Sequence, residues 1–599
     1  MTDPSPMLPL PEEPAPAVAG RPVAPARPGR GQAEARMRDD WRLMLVIAAF
    51  CLVYATVGVR MGMMALSDPE EPRLSQGSQG SKPVRGAIAD RNGAILAANL
   101  PAWSLYARPK ELTDPAGTAT EVAKILGKPV AEVLASFASP KKFVWVQRPI
   151  TPRQKAAIHD LGRPGLYFGP RDVRIYPAGR PTAHLVGAVR AAEEGVSFAR
   201  YAGVAGVEQV MDARLRDPER AGEPVRLSID LGAQTALREV LAAGMRRFTA
   251  KGAAAVIMDV ETGEILAMVS LPDFDPNKRP NEIYADQGDD PRFNRAAQGV
   301  YELGSTFKVL TAAVALETGV AAPETLIETG EAFYHGRRRI RDMHKMPDVM
   351  SLTEIVVRSS NVGSAKLVLR VGTPRFREYL KKLGLLSKTG LELGEARQAV
   401  PLLPQRWTDL STITMSYGHG ISVSPVHLAA AYATLANDGW PVSPTLLAGA
   451  EAPERREGDR VFSARVSRQM AQILRETVRN GTGRRADVPG YEVGGKTGTA
   501  DKPRPRAEGG GYYRDRVIAT FASIFPVSAP RYALIVSLDE PTNREGSRPV
   551  REASRTAVPV AGEVIRRVAP LLGLRPLPMA LPPADATLTA FADGTAREP

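Results

Sequence analysis

The chain has 599 residues, too many for one compact core, and its 44% hydrophobic and 24% charged content is that of an ordinary globular protein. These values exclude wholesale disorder and predict two or three folded domains with linkers. A formal charge of +13 calls for an anionic partner (nucleic acid, membrane surface or acidic polymer), while a single cysteine, Cys51, excludes a disulfide framework and a thiolate metal cluster. The six histidines never fall at H-x-x-x-H spacing, which argues against a zinc hydrolase.

Residues 1–28 hold nine prolines and cannot bury enough apolar surface to fold, so 1–42 is predicted to be a disordered tail. Residues 43–59 carry no charge, and 61–66 continue the run after Arg60. As a helix, 43–66 reaches up to about 36 Å, enough to cross a hydrocarbon core of about 30 Å. A cleaved signal peptide would need an overlong leader and an A-x-A site that does not follow, so an uncleaved anchor is expected. Six arginines precede the span, while Asp68, Glu70 and Glu71 follow it. The positive-inside rule then places the tail in the cytoplasm and the rest outside.

A Ser/Gly-rich linker at 75–81 leads into a mixed region, giving an expected domain over 67–222. The larger region spans 223–570, and a Pro/Ala-rich tail, 571–599, follows. In the larger region two apolar β-rich runs, 253–260 and 265–270, flank Glu261-Thr262-Gly263-Glu264, a hairpin signal that recurs as a strand pair at 519–525 and 532–538. Helical stretches such as 309–316 and 427–436 lie between them. Strands at both ends with helices between predict an α+β domain whose antiparallel sheet is closed by its two ends.

Three short patterns carry chemistry. Ser305-Thr306-Phe307-Lys308 opens an apolar run that ends at Gly319, as a buried helix would, and residues three apart share a helix face. Lys308 is thus placed to reach the Ser305 hydroxyl, and burial with nearby positive charge lowers the pKa of a lysine far enough for it to act as a base. Ser359-Ser360-Asn361 follows a helical segment at 352–358: Ser359 can relay a proton and Asn361 can bond a substrate amide, although such clusters are more often caps. Lys496-Thr497-Gly498-Thr499 reads as a strand edge where Gly498 admits a ligand backbone and Lys496, Thr497 and Thr499 hold a carboxylate. Two decoys, Ser139-Pro140-Lys141-Lys142 and Lys388-Thr389-Gly390, lack this context and read as surface and turn.

The ordered set S-x-x-K, S-x-N, K-T-G resembles that of penicillin-binding proteins and β-lactamases. The chain is most similar to class B penicillin-binding proteins of the division-specific (septal) type. Arg85 to Gly93 (RGAIADRNG), Arg174-Ile175-Tyr176-Pro177, His184 to Gly187 (HLVG) and Gly203 to Glu208 (GVAGVE) resemble the family's non-catalytic pedestal motifs, and 293–305 its approach to the nucleophile. The S-S-N form, with no E-x-x-L-N segment between Asn361 and Lys496, favours class B transpeptidases over β-lactamases. The tail, Tyr512-Tyr513 and Phe525-Pro526 look more like the division type than the elongation type.

The resemblance implies a penicillin-binding transpeptidase fold, an elongated pedestal and one N-terminal membrane helix. It implies a peptidoglycan D,D-transpeptidase working through a Ser305 acyl-enzyme. Lys308 would be the base, Ser359 the proton donor, Asn361 a substrate contact and the Ser305 and Thr499 N–H groups the oxyanion hole. Lys496, Thr497 and Thr499 would bind the terminal carboxylate, with Gly498 also in the substrate-binding set. No metal or organic cofactor is implied. The implied partners are D-Ala-D-Ala stem peptides, β-lactam antibiotics, a SEDS-family glycosyltransferase and other division proteins. The implied location is the bacterial inner membrane, single-pass, with the catalytic domain periplasmic. A D,D-carboxypeptidase or a β-lactam sensor would carry the same triplet, but a sensor needs a larger cytoplasmic part. Residues 1–42 balance six arginines against six acidic residues, Arg60 adds one charge and 571–599 subtract one, so the excess of +13 falls on 67–570. On the expected topology that surface is extracytoplasmic, which removes nucleic acid as its natural partner and leaves an anionic membrane face or the carboxylate-bearing wall polymer.

Overall fold

The computed structural model describes residues 30–66, 85–194, 199–220, 222–452, 454–543 and 549–577. The proline-rich 1–29, the 75–81 linker and most of the C-terminal tail lie outside these. The chain divides into two units, Met1–Gly80 and Ser81–Pro599.

Among the described residues the first unit is a single helix, α1 (Arg30–Leu66). Its 18-residue window Met44–Met61 has a mean hydropathy of 2.0, and none of it is buried within the chain. A soluble core helix of that composition would be covered by other elements, so this one is apolar and long enough to cross a membrane. The helix begins at Arg30, earlier than the expected tail boundary at 42. The last proline before the span is Pro28, and Ala33-Glu34-Ala35-Arg36-Met37-Arg38 are all helix formers, so nothing stops the helix short of Arg30.

The second unit opens with a five-stranded sheet built on β1 (Ile88–Ala89), β2 (Ile95–Ala107), β3 (Val144–Ile150) and β4 (Leu166–Ile175), followed by a hairpin of β5 (Ala188–Glu194) and β6 (Ala199–Ala205). β7 (Val225–Arg226) pairs in parallel with β1. Three motifs far apart in sequence converge here. Arg85 and Arg174 both hold Glu208, each at 2.6 Å, and Arg85 also pairs with Asp212 at 2.7 Å. Glu208 is fully buried, and a buried carboxylate is tolerable only when so paired.

The catalytic sheet runs in the order β10-β11-β12-β8-β9, all antiparallel, with β8 (Gly252–Asp259), β9 (Ile265–Leu271), β10 (Gly494–Pro503), β11 (Tyr512–Phe525) and β12 (Tyr532–Asp539). The first and last pairs of the domain thus join at its centre, as the sequence predicts. Strand residues alternate between two cores. Ala253, Ala255, Ile257, Leu534 and Val536 face α2 (Leu231–Arg247) and α8 (Ala557–Val568). Ala254, Val256, Met258, Ala533 and Ile535 face the side of α3 (Phe307–Glu317), α6 (Pro425–Ala436) and α7 (Ala464–Asn480). Cover on both faces is why these strands are apolar throughout instead of alternating with polar residues. Between α3 and α6 lie α4 (Leu352–Arg358) and α5 (Asn361–Val371).

Candidate active site

Ser305 sits half-buried in a 3-10 turn, Gly304–Thr306, that feeds directly into α3. Gly304 takes φ +57, and its carbonyl fits against Gly418, where a Cβ would stand 1.9 Å from that oxygen. A side chain at either position would push the nucleophile turn out of place. α3 is buried almost throughout, so Lys308 enters the site with 1% of its surface exposed.

Lys308 Nζ donates to the Ser359 carbonyl at 2.5 Å and to its Oγ at 3.2 Å. Lys496 Nζ donates to the same Oγ at 3.0 Å and to the Thr497 carbonyl at 3.1 Å. Ser359 stands at the end of α4 with φ +66, a left-handed conformation uncommon for a residue with a Cβ, and this turns its hydroxyl between the two lysines. The sequence predicts a Lys308–Ser305 contact; the structure sets the amine on Ser359 instead, and the Ser305 hydroxyl makes no hydrogen bond among the described residues. With both of its lone pairs taken by lysine N–H groups, the Ser359 hydroxyl keeps only its proton to offer.

Both lysines are depressed. Burial lowers Lys308 well below the ordinary 10.5, helped by the charge of Lys496 and opposed by Asp342. Burial alone brings Lys496 to about 7. Burial and the neighbouring charge thus favour the neutral amine at Lys308, and a neutral amine can take a proton.

The S-S-N segment divides its labour. Ser360 caps α5, accepting from Gly363 N at 2.9 Å, and donates to Asp342 Oδ2 at 2.8 Å. Asp342 Oδ1 also accepts the N–H groups of Asn361 and Val362. Asn361 Nδ2 donates to the Arg341 carbonyl at 3.2 Å, so its amide is braced by the loop that holds Asp342. The capping role that such clusters usually have belongs to the middle serine, and Ser359 is released to the lysines.

β10 brings the third motif alongside. Gly498 corrects the expectation that it clears room for a ligand backbone: a Cβ there would stand 2.2 Å from the Leu303 carbonyl, so the space is already taken by the nucleophile turn. Thr499 lies against that turn too, its nitrogen 3.2 Å from where a Gly304 Cβ would be. The backbones of Ser305 and Thr499 are thereby neighbours. Thr497 Oγ1 pairs with Thr482 Oγ1 at 2.7 Å, and Thr499 Oγ1 accepts Ala553 N–H at 3.0 Å. Both hydroxyls are positioned by these partners.

Sequence reasoning missed Asp342, Thr482 and Glu302. Glu302 Oε1 accepts Gly420 N–H at 2.8 Å and Tyr512 Oη–H at 3.0 Å, which ties the Tyr417–Gly420 loop and the start of β11 to the approach to Ser305. The paired glycines Gly418 and Gly420 were the only local signal, both at positive φ. The decoys fall elsewhere: Ser139 to Lys142 follows the helix Val130–Phe137 with both lysines exposed, and Gly390 takes φ +74 in a loop after the helix Thr373–Lys382.

Comparison with known proteins matches residues 253–561 to the penicillin binding protein transpeptidase domain and residues 81–220 to the penicillin-binding protein dimerisation domain. A probable peptidoglycan D,D-transpeptidase FtsI of Caulobacter vibrioides is 38% identical over 563 residues, 91% of each chain. The peptidoglycan D,D-transpeptidase FtsI of Escherichia coli K12 is 30% identical over 84% of this chain and 88% of its own. Among solved structures, penicillin binding protein 3 of Mycobacterium tuberculosis complexed with aztreonam aligns with a TM-score of 0.61 at 26% identity, covering 84% of this chain and all of that one.

Proposed function

The chain belongs to the class B penicillin-binding proteins, and from that premise we propose that it crosslinks peptidoglycan at the division septum by serine acyl transfer at Ser305. The observation that carries this reading is the meeting of Lys308 and Lys496 at the Ser359 hydroxyl, one residue from each motif. Ser305 Oγ attacks the carbonyl carbon of the penultimate D-alanine, and neutral Lys308 takes its proton. The Ser305 and Thr499 N–H groups hold the resulting oxyanion, each such donor contributing about 3 kcal/mol. Ser359 gives its proton to the leaving D-alanine nitrogen as the peptide bond breaks and takes one back from protonated Lys308, which becomes neutral again. An amine of a second stem peptide then attacks the ester and gives its proton to Lys308, which hands it to Ser305 Oγ as the ester C–O bond breaks and the alcohol is restored. Lys496, Thr497 and Thr499 bind the terminal carboxylate, Gly498 keeps their strand against the nucleophile, and Asn361 orients the stem peptide. β-Lactams enter the first half of this path and stop at the ester.

The expected domains, 67–222 as pedestal and 223–570 as transpeptidase, fit the two sheets described above. α1 anchors the chain by one pass in the inner membrane, with the tail cytoplasmic and the catalytic domain periplasmic, as the arginines before it favour. A SEDS-family glycosyltransferase and other division proteins complete the assembly. The likeness to relatives named FtsI supports the septal assignment.

The test is a product analysis. Full-length protein given uncrosslinked pentapeptide strands should yield crosslinked dimers by mass spectrometry. Tetrapeptide monomers alone would make it a carboxypeptidase. Depletion in the native host should give filaments, and round cells would reassign it to elongation.

A further inference from the structure

α7 uses its two sides differently. One packs on β10, where Leu474 Cβ and the Arg475 nitrogen both stand 3.2 Å from the place a Gly494 Cβ would take. The other forms a wall of an open cleft of about 930 Å³. The opposing walls are the end of α6 at Asn437 and Asp438, the β8–β9 turn at Glu261 and the β11–β12 turn at 528–531. Arg468, Gln472, Arg475 and Arg479 recur at steps of three and four along α7, so they form one row about 16 Å long at 1.5 Å per residue.

Arg455 and Arg531 face this row, making five arginines against Glu261, Asp438 and Glu492. Two of the carboxylates have partners, Glu261 with Arg455 at 3.7 Å and Glu492 with the Ser528 N–H at 3.1 Å. Arg475 is held by Asp487 at 2.7 Å. Among the described residues, the exposed side chains of Arg468 and Arg479 make no ion pair or hydrogen bond, and the Arg531 side chain only lies over the Tyr532 ring. In the same wall Ser467, 4% exposed, has a hydroxyl with no hydrogen-bond partner. Five arginines against three carboxylates, with three of the guanidiniums outside any ion pair, make the cleft suited to an anionic ligand.

We infer that this cleft is a second binding site, distinct from the catalytic centre, for a polyanion whose carboxylates repeat along a strand. On the substrate reading above, that polyanion is the peptidoglycan strand with its stem-peptide carboxylates. A concave groove bounded by α7 and three opposing walls suits a strand better than a flat lipid surface. Its position serves the reaction. α7 rests on the strand that carries Lys496, and Thr482, just past its end, bonds Thr497. A strand lying in the cleft is held beside the centre that crosslinks it.

The test uses full-length protein in zwitterionic nanodiscs, first acylated with penicillin so that strands cannot occupy the catalytic centre. Fluorescent uncrosslinked strands should still bind. The charge reversal of Arg468→Glu, Arg479→Glu and Arg531→Glu together should weaken binding about tenfold or more, since three groups that attract the strand's carboxylates then repel them. Strands with amidated carboxylates should bind as weakly to the unaltered protein. The single changes Arg468→Gln and Arg479→Gln, at exposed side chains without partners, should each cost about twofold and leave penicillin labelling at its normal rate. Undiminished binding in the triple variant or its labelled single variants, equal binding of amidated strands, or stronger binding to phosphatidylglycerol vesicles would each overturn the proposal. Unaltered protein that penicillin does not label would instead count against the catalytic reading, a separate readout.

Discussion

Two buried lysines share one serine hydroxyl, and their charges must differ for the site to work. Lys308 acts as a base only when neutral, and Lys496 holds a carboxylate best when charged. The acylation rate should therefore rise as pH climbs through the depressed value of Lys308 and fall as Lys496 loses its proton above about 7. Second-order labelling by a fluorescent penicillin from pH 5 to 9 should trace a bell, and a rate that climbs steadily to pH 9 would contradict the assignment. The same shift enters stability. Between about 7 and 10.5 the unfolded chain holds a proton on Lys496 that the folded chain does not, so stability rises with pH across that window and is lost as pH falls toward 7. Ser305, Lys308, Ser359 and Lys496 are legible in the sequence because each sits in a pattern of fixed spacing. Asp342 and Glu302 are not, because what they do depends on partners that only the folded chain brings to them.

The elements explain what motif reading cannot. Gly498 looks like a residue that leaves room for a ligand, yet what fills its space is the Leu303 carbonyl, so its role is the fit of β10 against the nucleophile turn. Gly498→Ala should part these elements and slow acylation about a hundredfold, the cost of a misplacement near 1 Å, while the melting temperature stays within a few degrees. Normal labelling in that variant would show the turn to be free of the strand. In the pedestal, Arg85, Arg174 and Glu208 lie in three segments whose resemblance to family motifs is visible in sequence, but their convergence is not. Glu208→Ala would leave two buried guanidiniums without their shared partner and should destabilise the domain by about 3–5 kcal/mol, read as a lowered urea midpoint. An unchanged midpoint would mean that water satisfies those arginines. The strand pairs were legible because a sheet covered on both faces forces unbroken apolar runs. The start of α1 was misread because its first turns are rich in alanine and arginine, a composition that suits an exposed helix as well as a loose tail.

At the scale of the whole molecule, the charge of +13 on residues 67–570 is no uniform coat. Part of it gathers in the cleft along α7, behind the strand that bears Lys496, where a wall polymer rich in carboxylates would meet it. Catalysis by this molecule rests on one oxygen, Ser305 Oγ, being the atom that is acylated. Intact-mass measurement of the full-length protein after penicillin should show one adduct per chain, carried on the peptide that contains Ser305. Ser305→Ala should show none while unfolding at the same temperature as the unaltered protein. An adduct that persists in Ser305→Ala, or that maps to another residue, would contradict the account.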